Sequence, residues 1–113
     1  MAPHLLIPDR LRDLGVHPQQ VNYYKQRYQG NFMGYNLDSH YQPIISLTHQ
    51  RVVGFEALMR PSREGVPCSP LDLFAQCQNS LAITRLDRLS RALHLLNFNL
   101  LDSDGCWLFL NIR

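Results

Sequence analysis

Cysteine is scarce in this chain: Cys68, Cys77 and Cys106 are odd in number and show no C-x-x-C spacing. That excludes a fully paired disulfide framework and argues against a zinc site, so the three thiols read as small buried hydrophobes in a reducing compartment. Lysine is scarcer still, since ten of the eleven cations are arginine, and these are scattered rather than clustered. A net charge of +2 spread in this way leaves no electrostatic footprint for a polynucleotide. No apolar run approaches the length of about 18 residues needed to span a membrane. The N-terminus lacks the basic region and long apolar stretch of a signal peptide. No internal repeat or low-complexity segment is visible. A cytoplasmic protein with no membrane segment is therefore expected.

What is present is an ordinary globular composition, 45% hydrophobic and 18% charged over 113 residues. That length holds one small domain with a real core but not two. Residues 1 to 39 read as a helical arm or linker that packs on the domain or joins it to a partner. Pro8 to Gly15 fits a two-turn helix, with proline and acid at its start and glycine at its end. Pro18 to Gln29 carries Val21, Tyr24 and Tyr28 at three- and four-residue spacing and predicts a second helix, broken by Gly30 and Gly34.

His40 to Arg60 reads as two strands around the polar turn Thr48-His49-Gln50. In the first, Tyr41, Pro43, Ile45 and Leu47 share a face, with Gln42, Ile44 and Ser46 on the other. Pro43 cannot donate to a ladder, which places this strand at an edge or starts it there. In the second, Gly54, Glu56, Leu58 and Arg60 share one side while Val53, Phe55, Ala57 and Met59 take the other. A carboxylate in an apolar strand must be paired, protonated or bound to a metal, because burying it bare is costly. After a loop from Pro61 to Pro67, Ser69-Pro70-Leu71-Asp72 starts a helix with serine as N-cap. A longer helix runs from about Thr84 to Phe98, with Leu86, Leu89, Leu93 and Leu96 as its buried stripe. Asp87 lies beside that stripe, four residues before Arg91, the spacing of a surface ion pair. Cys106 to Ile112 is a buried strand, with Asn111 on the face of Trp107 and Phe109. The strand from Arg51, the two helices and this last strand make a β-crossover-β unit with parallel neighbours.

Chemistry in barrels of such units collects at the C-terminal ends of the strands. Glu56 sits in the later half of one strand and Asn111 at the end of another. Both offer oxygens, which suit hard ions such as Mg²⁺ or Mn²⁺.

Several separated stretches also resemble a known family. YQPI at Tyr41 to Ile44, GFEALMR at Gly54 to Arg60, the SP-x-x-x-F pattern at Ser69 to Phe74, LDR at Leu86 to Arg88 and LFLN at Leu108 to Asn111 resemble, in order and gaps, the opening of the EAL domain. Members of that family open cyclic di-GMP to linear pGpG. The resemblance implies an α/β fold, the N-terminal part of a (β/α)8 barrel with an antiparallel first strand, over residues 40 to 113. It gives Glu56 and Asn111 as ligands of a two-metal Mg²⁺ or Mn²⁺ site, and Arg60 as the contact to a phosphate of cyclic di-GMP. Gln42 and Asp87 resemble nucleotide contacts, and Leu58 lies under the substrate. The family's later motifs, including the paired aspartates and the catalytic lysine, would lie beyond Arg113. The chain is accordingly expected to be a truncated domain, inactive by itself, that in intact form is a metal-dependent phosphodiesterase. An open strand edge implies pairing with a second copy or another protein. The alternative is a degenerate domain acting as a receptor or interaction platform. Cys77-Gln78, where the family usually has Ala-Glu, speaks for it.

Overall fold

Gly15, at φ 77°, ends the first helix, α1 (Ile7–Asp13), in a conformation that only glycine adopts without strain. Its N–H donates to the Arg12 carbonyl and that of Val16 to the Leu11 carbonyl, at 3.0 and 2.8 Å. This is the paired C-terminal closure of a Schellman motif, and it carries Leu11 and Val16 together into the core. The structure, a computed structural model, describes residues 7–101 and 105–110.

A single 3-10 turn at Pro18–Gln20, capped by the His17 ring, leads not into a helix but into a hairpin of β1 (Val21–Tyr24) and β2 (Arg27–Phe32). The helix predicted over Pro18 to Gln29 is thus corrected. Lys25 and Gln26 both hold positive φ, 51° and 64°, making a two-residue turn of the kind that matches strand twist. Beyond it burial alternates, with Tyr28, Gly30 and Phe32 inside. A second two-residue turn, Met33-Gly34, leads to β3 (Tyr35–Ser46), which pairs with β4 (Arg51–Arg63) around the predicted polar turn. A third, Glu64-Gly65, folds β5 (Val66–Pro67) onto β4.

Ser69 caps α2 (Pro70–Ala75), its hydroxyl accepting from the Leu71 N–H at 3.1 Å. Asn79 caps α3 (Ser80–Phe98) in the same way, through the Ala82 N–H at 2.9 Å. The chain then returns as β6 (Trp107–Phe109), parallel to β4. The predicted crossover between parallel neighbours is present.

The architecture around that crossover corrects the barrel expectation. The six strands form one open mixed sheet in the order β1-β2-β3-β4-β5, with β6 also on β4. Four of its five pairings are antiparallel. A part of a (β/α)8 barrel preceded by a helical arm would instead alternate strands with helices. The reason is local: two-residue turns can only return a chain antiparallel, whereas parallel neighbours need a crossover, and the described residues contain one.

One face of the sheet is covered by α3. Tyr35 and Leu37 of β3, and Ala57 and Met59 of β4, point to it together with Tyr28 and Phe32. Leu86, Leu89, Leu93 and Leu96 meet them, and removing each leucine from water contributes about 1.5–3 kcal/mol. Gly30 sets how closely the helix approaches, because a Cβ there would stand 2.7 Å from Leu93 Cδ1.

Candidate functional site

Cross-strand register decides which of the predicted residues meet. Gln42 lies directly opposite Glu56, His40 opposite Leu58, and Asp38 opposite Arg60. Residues so placed share a face, and this face is turned away from α3, since Ala57 and Met59 between them are the buried ones. Gln42, Glu56, Leu58 and Arg60 therefore line one surface that no described helix covers. Asp38 does not neutralise Arg60. It pairs with Arg27 at 2.7 Å and accepts the Ser39 N–H at 2.8 Å. The side chains of Glu56 and Arg60 make no hydrogen bond or ion pair to another described residue, and Glu56 is half-buried.

Among the described residues, the far edge of β4 is occupied by strands at both ends and by none in the middle. β6 takes Gly54 to Glu56, and β5 takes Ser62 and Arg63. Into that gap opens a cleft of about 100 Å³, lined by residues of both faces of β4 and by α2 and α3. Leu58, Arg60 and Asp87 come together there, with Ser90 and His94 behind them. Asp87 makes the expected pair with Arg91, at 3.2 Å. The predicted residues thus form two neighbouring groups, Gln42 with Glu56 on the sheet and Leu58, Arg60 and Asp87 at the edge cleft. Asn111 lies outside the described residues. Among the described residues no three of His, Cys, Asp and Glu gather as metal ligands. Glu56 with the Gln42 amide opposite offers hard oxygens of the kind a divalent cation takes, as one side of a coordination shell.

A buried polar network behind the cleft escaped the sequence reading. His94 Nδ1 is 2.9 Å from Ser39 Oγ and its Nε2 is 3.2 Å from Ser90 Oγ. The Asn97 amide donates to Ser39 Oγ at 3.2 Å and to the Tyr28 carbonyl at 2.9 Å, and its oxygen accepts the Tyr28 N–H at 2.8 Å. Tyr41 donates its hydroxyl to the His94 carbonyl at 2.6 Å. Burial pulls the His94 pKa down from 6.5 to about 4 and pushes that of Tyr41 up. At neutral pH the imidazole is uncharged and joins α3 to β3. The signal in the sequence was Ser90, His94 and Asn97, polar residues recurring at helical spacing inside the leucine stripe.

Cys68, Cys77 and Cys106 are free thiols, and burial pushes the Cys77 thiol up. No described helix is long and apolar enough to cross a membrane. Compared with family models, curated proteins and solved structures, the chain matches none.

Proposed function

We propose that the face of β3 and β4 turned away from α3 is a cyclic dinucleotide site, and that the chain belongs to a cytoplasmic cyclic di-GMP signalling protein of EAL type. The observation that carries this reading is the register. Gln42 opposite Glu56, with Leu58 and Arg60 following on the same face, sets an amide, a carboxylate, an apolar side chain and a guanidinium side by side. The resemblance implies nucleotide contact for Gln42, Leu58 and Arg60 and metal binding for Glu56. Arg60, free of Asp38, offers a planar fork to a phosphate. Leu58 supplies apolar contact beneath the ring of the ligand, and Gln42 both donates and accepts toward it. Asp87, paired with Arg91, lines the edge cleft with Arg60 and would meet the ligand only where it reaches over that edge. Glu56 would hold Mg²⁺ or Mn²⁺, which when bound makes hydroxide available near neutral pH and offsets charge on phosphoryl oxygens. In an intact domain with its remaining ligands this is the chemistry of phosphodiester hydrolysis to pGpG.

A second reading, a receptor that binds without cleaving, is favoured by Cys77-Gln78. It is favoured too by Glu56 standing alone, since Asp38 on the same face is spent on Arg27. Chromatography of the nucleotide after incubation with the intact domain separates the two, because only the enzyme yields pGpG.

Isothermal calorimetry with cyclic di-GMP, with and without Mg²⁺, tests the site itself. Arg60→Ala should weaken binding about tenfold to a hundredfold, the range for a hydrogen bond to a charged group. Glu56→Gln should abolish the Mg²⁺ dependence and leave the metal-free affinity nearly unchanged. Parent-like isotherms from both variants would refute the assignment.

A further inference from the structure

Resting on that reading, we infer that Trp107 and Phe109 form the platform on which a base of the cyclic dinucleotide stacks. β6 runs parallel to β4 with Trp107 beside Gly54 and Phe109 beside Glu56. A Cβ at Gly54 would stand 2.9 Å from Phe109 Cε2 and 3.3 Å from Trp107 Cβ. Both side chains therefore rise on the Gly54 and Glu56 face, and only glycine lets the Phe109 ring lie so close to the strand. Neither is used in the core: Trp107 is 71% exposed and Phe109 48%. The same face carries Glu56 and Arg60. Aromatic faces, hydrogen-bonding oxygens and an unpaired guanidinium on one surface complement the base, sugar and phosphate of a nucleotide. An apolar protein partner would leave Arg60 and Glu56 unmatched.

Trp107 is the only tryptophan in the chain, so its fluorescence reports on this position alone. Cyclic di-GMP titrated into the full chain should quench that emission along the same saturation curve that calorimetry gives. By calorimetry, Trp107→Ala and Phe109→Ala should each weaken binding about tenfold to a hundredfold, as for loss of one stacked base. Trp107→Phe, which keeps a ring, should retain most of the affinity. Calorimetric binding with unaltered emission, or alanine variants that bind like the parent, would overturn the platform while leaving the Arg60 site standing. No heat at all from the parent chain would overturn both. Emission that depends on protein concentration without nucleotide, together with dimers in sedimentation, would assign the aromatic pair to contact between copies instead.

Discussion

Asn97→Ala should destabilise the protein by about 2–5 kcal/mol, because it leaves two buried backbone groups without partners at roughly 1–3 kcal/mol each and adds a small cavity. Tyr28 sits where β2 and β3 part company, their pairing covering only Gly30 to Phe32 on the β2 side. Tyr28 faces Tyr23 of β1 on one side, and on the side where β3 has left the Tyr28 N–H and C=O are both satisfied by the one Asn97 side chain. Tyr28 is 2% exposed and Asn97 5%, so water is poorly placed to substitute. Asn97→Asp keeps an acceptor for the N–H but loses the donor to the carbonyl, and its cost should also exceed 1 kcal/mol by the same reasoning. Urea denaturation followed by circular dichroism measures both. An Asn97→Ala midpoint equal to that of the parent would mean that the network does not hold the helix to the sheet.

Acid should weaken the fold through His94 by about 3 kcal/mol between pH 7 and pH 4, on 1.36 kcal/mol for each pH unit separating its folded and unfolded values. Above about pH 6.5 neither state carries the proton and the contribution is fully present. As pH falls from 6.5 to about 4, the unfolded chain binds a proton that the folded chain refuses, and stability drains away. The cause is burial: at 4% exposure the ring has only the Ser39 and Ser90 hydroxyls to meet a charge. Asp87, the acid of the adjoining cleft, is engaged with Arg91. Urea midpoints at pH 7, 5.5 and 4.5 would show the loss, and His94→Asn should flatten it by removing the titrating group. Identical pH slopes for parent and variant would place the acid sensitivity elsewhere. For a domain held by about 5–15 kcal/mol in total, the effect is large.

Features written within a few residues of one another were legible. The β3-β4 hairpin announced itself by alternation around Thr48-His49-Gln50, α2 by Ser69-Pro70, and the ion pair by the four-residue spacing from Asp87 to Arg91. The face shared by Glu56, Leu58 and Arg60 followed from the same alternation. The β1-β2 hairpin stayed hidden because its turn is Lys25-Gln26, with no glycine or asparagine to mark positive φ. Val21, Tyr24 and Tyr28 happen to fit a helical period, yet Tyr28, Gly30 and Phe32 fit the strand period that tertiary packing selects. The barrel expectation came from the family resemblance and the crossover after β4, and neither carries any trace of the two strands that precede β3. The Asn97 contact was out of reach for another reason: its partner Tyr28 is 69 residues away.

Three of the four connections between consecutive strands from β1 to β5 are two residues long, and this leaves the sheet no slack. One extra residue placed between Lys25 and Gln26 must be absorbed as a slip of half a pleat repeat, since side chains alternate with a period of two. Such an insertion would exchange the inward row Tyr28, Gly30 and Phe32 for Arg27, Gln29 and Asn31, presenting charge and amides to Leu89 and Leu93. Loss of a cooperative melt on that insertion, against tolerance of the same residue in the four-residue loop at Leu47 to Gln50, would show that loop length here acts as a ruler for the whole sheet.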